Sequence, residues 1–177
     1  MSRFIATLES GLSIPEAPKR VLVPVDFSAE SAAALRYAIA RSPSGTVDVV
    51  HVWDLPSYTG GGMVDATTTG GDPGAPQLAS QYVLDRATER MAELLAPHRD
   101  NARITGAVLN GDVGKVLVEL SEKYDLVVIG RRPHEGMREL FLGSAAGLLL
   151  ADARCPVVTV HELEGQGAHG GHESAAE

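Results

Sequence analysis

Five short apolar runs, separated by stretches with helical periodicity, constrain the fold of this chain more than any other feature of its sequence. The first run, "RVLVPV", is continuous, which favours a strand that is covered on both faces. All five have strand length and are rich in β-branched residues; they occupy residues 20–25, 46–53, 102–109, 125–130 and 156–161. They predict five strands.

Helical patterns lie between these strands. Ser28 is placed to cap the first helix, which should end at the proline and glycine of "SPSG". Two further sets of apolar residues recur on one helical face, the second behind a capping Asp112: Leu84, Ala87, Met91 and Leu94, then Val113, Val116, Leu117 and Leu120. A last helix is expected over about 144–152. Alternating strands and helices predict a single doubly wound α/β domain, with a five-stranded parallel sheet and helices on both faces.

Three segments fall outside this pattern. Residues 1–18 form an N-terminal extension, and residues 163–177 form a Gly-rich tail that we expect to be disordered. Residues 54–77 hold six glycines and three prolines in 24 residues, which predicts a mobile loop. The domain itself is predicted to span residues 19–162.

Charge and composition exclude several partners. The formal net charge of −8 disfavours nucleic acid, whose phosphates are usually met by clustered Lys and Arg. No stretch approaches the ~20 apolar residues that span a bilayer, and no signal-peptide core is present, so no membrane partner is expected. Cys155 is the single cysteine and fits a reducing compartment. These features predict a soluble, cytoplasmic protein.

The segment after the fourth predicted strand carries the most specific motif. Neither a Walker A loop nor a GxGxxG fingerprint follows the first strand. Instead, Gly130 is followed by Pro133, then by nine residues, then by Gly143 and Ser144. This spacing resembles the nucleotide loop of the universal stress protein family, G-x-x-G, nine residues, G-S or G-T. The stretches "VLVPVDFS", "VVHVWD", "NGDVGKVLVELSEKYDLVVIG" and "CPVVTV" resemble the same family.

The resemblance implies a strand order of 3-2-1-4-5 and a ligand at the point where that order reverses. It implies ATP, with or without Mg²⁺, as the cofactor. By analogy, Asp26 would face the adenine and ribose, and the backbone of Val52 would contact the base. The ribose and phosphates would be held by the loop and the following helix start, at Gly130, Arg131, Arg132, Pro133, Gly143, Ser144 and Ala145. Backbone amides at a helix N-terminus suit phosphate oxygens.

Pro133 departs from the family pattern, because it replaces the second glycine of the loop. Proline has no N–H to donate, and the loss of one hydrogen bond to a charged group costs roughly 1.5–3 kcal/mol. Arg131 and Arg132 offer a compensating grip on a phosphate. We therefore expect a weakened nucleotide site.

Simpler structural roles remain open for the same residues. Gly143 and Ser144 also suit a turn with an N-cap, Asp26 suits a turn, and the two arginines suit a solvated loop. His169 and His172 have a sparse metal-like spacing but lie in the Gly-rich tail without a third ligand, so we predict no metal site.

Three functions are compatible with the sequence. The first is a nucleotide-responsive regulator that acts on a protein partner, and the second is a member of the same family that has lost nucleotide binding. The third is a slow ATPase, although no catalytic set is recognisable and we expect no enzyme. Family members commonly dimerise through the last strand, so we expect a homodimer through 156–161.

Overall fold

The computed structural model describes residues 3–8, 12–54, 75–131 and 144–163. Strands β1–β6 span Arg3–Leu8, Arg20–Pro24, Thr46–Trp53, Ile104–Asn110, Leu126–Gly130 and Val157–Leu163. Helices α1–α4 span Ala29–Arg41, Ala75–Leu95, Val113–Ser121 and Ser144–Asp152, and a 3₁₀ turn, Ala96–His98, follows α2. Most of the predicted loop and tail, and part of the N-terminal extension, lie outside the described residues.

The sheet has the order β1-β6-β5-β2-β3-β4. The five predicted strands correspond to β2–β6; all their mutual pairings are parallel, and they follow the expected order 3-2-1-4-5. The predicted doubly wound α/β class is confirmed.

The predicted count of five strands is wrong, because β1 adds a sixth. It pairs antiparallel with β6, from Arg3 opposite Leu163 to Leu8 opposite Val158. The described side chains of β1, Ala6, Thr7 and Leu8, are exposed. Exposed positions such as these three leave no alternation of buried and exposed residues, and the segment was predicted only as part of the N-terminal extension.

Each face of the sheet is covered by a pair of helices. Alternate residues of a strand point to opposite faces, so Val21 and Val23 join α1 and Met91 of α2, while Leu22 joins α3 and α4. Residues 126–129 of β5 are all buried, as expected for a strand covered on both sides. The core therefore consists of two layers separated by the sheet.

The predicted helix caps are present. The Ser28 hydroxyl accepts a hydrogen bond from the amide of Ser31 at 3.2 Å, and the Asp112 carboxylate accepts one from the amide of Lys115 at 2.9 Å. Each cap satisfies an amide that has no partner within its own helix. The caps fix the starts of α1 and α3 at the ends of β2 and β4.

Candidate functional site

The strand order reverses at the carboxyl ends of β2 and β5. β2 is hydrogen-bonded to β3 on one side and to β5 on the other. The connection from β2 leads to α1 on one face of the sheet, and the connection from β5 leads to α4 on the other face. Connections that diverge in this way leave a crevice in which doubly wound proteins bind ligands. The predicted site residues should therefore lie along this edge.

Asp26 lies in the turn between β2 and α1. Its Oδ1 accepts a hydrogen bond from the backbone amide of Ser28 at 3.0 Å and another from the Ser28 hydroxyl at 2.5 Å. Ser28 in turn caps α1. Asp26 thus has the turn-forming role that its residue type favours, while its side chain remains exposed at the crevice edge.

Gly130 ends β5 and packs against the first turn of α1. A Cβ atom at this position would lie 2.3 Å from the carbonyl carbon and oxygen of Glu30 and 2.7 Å from the amide nitrogen of Ser31. These are backbone atoms, which cannot rotate away as a side chain can. Glycine is therefore required by close packing, and this packing brings the end of β5 to the same turn that Asp26 organises.

Arg131 is half-buried at the start of the predicted phosphate loop. Its backbone amide donates a hydrogen bond to the carbonyl oxygen of Val160 in β6 at 2.8 Å. An amide has a single proton, so this group is engaged by the sheet. The guanidinium of Arg131 remains the part suited to an anion.

The other residues of the predicted loop are only partly described. Arg132, Pro133 and Gly143 lie outside the described residues. Ser144 and Ala145 form the first residues of α4, so the predicted helix begins where expected. The positive end of α4 therefore starts directly after the Gly143 position of the motif.

Val52 lies near the end of β3, beside β2. Its side chain is 7% exposed and packs in the core with Leu117 and Leu149, so only its backbone can contribute to a site. The pairing of Val52 with Leu109 places it next to β4. This is compatible with the predicted backbone contact to a base.

A cluster of three residues at the same edge was not predicted. Phe27 has a φ of 62°, a left-handed conformation that is rare for a bulky residue. The centroids of the Phe27 and His51 rings are 4.5 Å apart, and Cζ of the Arg90 guanidinium lies 4.8 Å from the Phe27 ring centroid. His51 Nδ1 is 2.8 Å from the carbonyl oxygen of Val25. The cluster places a cationic group beside the Asp26 turn.

Sequence reasoning missed this cluster for two reasons. A left-handed backbone at phenylalanine has no sequence signature, and Arg90 is 63 residues from Phe27, whose carbonyl oxygen accepts a hydrogen bond from Arg90 Nη2 at 3.3 Å. His51 lies within the predicted strand 46–53, where its residue type gives no sign of this contact. The only hint of the cluster in the sequence is an aromatic residue, Phe27, directly after Asp26 in "VDFS".

The described part of the chain shows no metal site or membrane-spanning helix. No group of three or more His, Cys, Asp or Glu residues there is arranged to hold a metal ion. None of the helices described is both long and apolar enough to cross a bilayer. A groove of about 180 Å³ lies between α3 and α4, lined by Gly114, Lys115, Val118, Glu119, Leu148 and Asp152, and includes no predicted site residue.

Known proteins with similar sequences and structures agree with this architecture. A universal stress protein of Thermus aquaticus is 31% identical over 153 residues, covering 80% of this chain and 98% of its own length. One from Methanocaldococcus jannaschii is 26% identical over 147 residues, covering 80% and 81%. The solved structure of UspA from Lactobacillus plantarum superposes with a TM-score of 0.55 at 17% identity, covering 82% of this chain and 99% of its own, and supports the fold.

The family profile covers most of the domain. Residues 18–161 match the sequence model of the universal stress protein family. This range contains the Asp26 turn, Gly130, the predicted phosphate loop, strands β2–β5 and residues 157–161 of β6. The chain belongs to the universal stress protein family.

Proposed function

We propose that this protein is a cytoplasmic stress-response module that binds ATP or another adenine nucleotide and regulates a partner protein accordingly. The nucleotide would lie at the reversal of strand order, between the Asp26 turn and the loop from Gly130 to Ser144. Its binding energy would serve to select one conformation of the loop, and no catalytic step is required.

The observation that carries the proposal is the packing of Gly130 against the turn that follows Asp26. Because a Cβ at Gly130 would lie 2.3 Å from the Glu30 backbone, the two segments that the resemblance assigns to nucleotide binding meet at one place. The Asp26 turn contributes an exposed carboxylate that can accept hydrogen bonds from ribose hydroxyl groups. The end of β5 leads into the loop that precedes the N-terminus of α4, which suits phosphate.

A second candidate is an interaction protein without nucleotide binding. Two observations favour it: Pro133 cannot donate the hydrogen bond of the family's second glycine, and Oδ1 of Asp26 already accepts two hydrogen bonds from Ser28. In this case the Asp26 turn would serve only to start α1. The two candidates differ in whether nucleotide stabilises the folded chain.

Thermal melting tests the choice directly. A ligand that binds only the native state raises the stability by RT ln(1 + [L]/Kd), about 2.7 kcal/mol at 100 times Kd. ATP with Mg²⁺ should raise Tm more than ADP or AMP, and cyclic AMP, which lacks the polyphosphate, serves as a further comparison. No shift with millimolar ATP would favour the second candidate. Phosphate release well above background would instead indicate a slow ATPase.

A pair of variants separates ligand contact from helix capping. Asp26→Ala removes the carboxylate, whereas Ser28→Ala removes the cap but keeps the carboxylate; a lost N-cap costs about 1 kcal/mol. We expect the ATP-induced shift to vanish in Asp26→Ala and to persist in Ser28→Ala. Equal shifts in both variants would assign Asp26 to the turn alone.

The homodimer predicted from the sequence would form only under a condition that the sheet sets. The predicted interface was the edge of residues 156–161, but β1 already occupies the outer edge of β6. A dimer through that edge therefore requires β1 to leave it.

A further inference from the structure

We propose that β1 is a displaceable edge strand that determines whether the outer edge of β6 pairs within one chain or with β6 of a second copy. This inference concerns the regulation of the proposed homodimer and is independent of nucleotide binding.

The edge of β6 is demonstrably able to accept an antiparallel strand. On its inner side β6 runs parallel to β5, with Val157 opposite Val127 and Gly130 opposite Val160. On its outer side six residues of β1 are paired antiparallel with residues 158–163. The main-chain groups on this outer side of β6 are therefore directed at a strand of opposite direction.

β1 is attached by its backbone more than by its described side chains. Ala6, Thr7 and Leu8 are exposed, and Leu8 retains 39% of its accessible surface. The opposing residues Val158 and Val160 are both fully buried. Each backbone hydrogen bond contributes only a small net stabilisation because water replaces it when the strand leaves. When β1 leaves the sheet, Ala6, Thr7 and Leu8 therefore expose little additional apolar surface to water.

The segment that follows β1 is anchored to the domain. Arg41 donates hydrogen bonds to the carbonyl oxygens of Pro15 and Glu16, at 2.9 Å for Pro15. The Ser42 hydroxyl donates to the carbonyl of Pro18 at 2.7 Å. A released β1 therefore remains tethered close to β6, and short tethers give effective concentrations of about 1 mM or more. The tethered strand should exclude a second copy at micromolar protein concentration.

A second copy is the occupant that fits the edge best. A twofold axis perpendicular to a strand relates it to its own copy in the antiparallel direction, which is the direction that the outer edge of β6 accepts. The same residues then pair on both subunits, so no second binding surface is needed. The result is one continuous sheet through two chains, and it closes an edge that would otherwise promote aggregation.

The test uses the full chain with two adjacent prolines in β1. Antiparallel ladders alternate between paired and unpaired amides, so Ala6→Pro with Thr7→Pro removes one inward-facing amide whichever parity applies. Ala6→Ser with Thr7→Ser keeps both amides and is the matched control. Sedimentation velocity without nucleotide, up to about 0.5 mM protein, measures the mass of each.

The parent and the serine control should be monomers, whereas the proline variant should dimerise with an affinity increased by about 10-fold or more. Hydrogen exchange should show the outer amides of residues 158–163 protected in the parent, and protected in the proline variant only when it is dimeric. A synthetic peptide of residues 2–10 should return that dimer to monomer.

Three results would overturn the inference. They are a parent that is already dimeric with β1 in place, a folded proline variant that stays monomeric throughout, and a proline dimer that excess peptide leaves intact. Circular dichroism establishes that the variant is folded. Because nucleotide is absent from every measurement, these results are separate from the ATP-induced change in Tm.

Discussion

Gly130 lies so close to Glu30 that a methyl group on its Cα would occupy space 2.3 Å from the Glu30 carbonyl. The end of β5 and the first turn of α1 are thereby held in contact. The glycine at the end of β5 is therefore required by packing, whatever binds at this edge of the sheet. The effect of replacing Gly130 is therefore best measured against the same replacement at a glycine that has no close neighbour.

Gly130→Ala should destabilise the protein by about 1–3 kcal/mol, because backbone atoms of α1 must move to admit the methyl group. Gly147→Ala is the control: it is an exposed position in α4, where no described atom lies within 4 Å of the added Cβ. That change should be neutral or stabilise by up to about 1 kcal/mol. Urea unfolding measures both, and equal stability of the two variants would contradict the packing argument.

Pro133→Gly should tighten ATP binding by roughly 10-fold to 150-fold if the missing amide donor limits affinity. Isothermal titration calorimetry of the variant and the parent measures the change. Pro97→Gly, at an exposed position in the 3₁₀ turn after α2, controls for the general effect of replacing a proline. An unchanged ATP affinity in Pro133→Gly would show that the loop does not use this amide.

Tyr124 should titrate at a higher pH than an ordinary tyrosine. Burial, followed by the hydrogen bond from its hydroxyl to Asp48 at 2.9 Å, raises its pKa to about 12. Because the folded-state pKa exceeds the ordinary value of 10.0, the protonated phenol favours folding below pH 10. This contribution is lost as pH rises from 10 towards 12. Absorbance at 295 nm during alkaline titration should show a late transition, near pH 12.

Tyr124→Phe should abolish that late transition and cost about 1 kcal/mol, the usual value of one hydrogen bond. Asp48 retains its hydrogen bond from the Thr105 hydroxyl at 2.6 Å. Tyr82→Phe provides the control, since Tyr82 is 67% exposed and should change stability by less than about 0.5 kcal/mol. A late transition that survives in Tyr124→Phe would contradict the assignment.

Cys155 should react slowly with thiol reagents while the protein is folded. Burial, assisted by the negative charge of Asp125, raises the pKa of its thiol to about 11 from 9.0, and the side chain is 5% exposed. This rise in the pKa alone reduces the fraction of reactive thiolate about 100-fold near neutral pH. Labelling in urea, where the same thiol is exposed, is the control. Fast labelling without urea would contradict this placement.

The parallel sheet was predictable because strands covered on both faces leave apolar runs in the sequence. β3 spans the predicted range, and the other four parallel strands begin or end within two residues of theirs. Helix starts were predictable where Ser28 and Asp112 supply a local acceptor. β1 was not, because its described side chains, those of residues 6–8, are exposed and give no alternation of buried positions.

The candidate site was predictable only in part. Topology and family resemblance together brought Asp26 and Gly130 to one edge of the sheet, and binding of nucleotide there remains a prediction. The Phe27, His51 and Arg90 cluster depends on one unusual backbone angle and on a helix that begins far along the chain. Such contacts arise from tertiary packing between distant segments, so no short sequence pattern predicts them.

The pairing of β2 with β5 and of β1 with β6 also orders events during synthesis. The amide of Arg20 bonds the carboxylate of Asp125, 105 residues later, and β1 precedes every strand whereas its partner β6 follows them all. On the ribosome, the middle of the sheet must wait for most of the domain to be translated. At about 5–20 residues added per second, β1 and β2 in the nascent chain lack the hydrogen-bonding partners β6 and β5 for several seconds. Chaperones would bind the nascent chain during this interval.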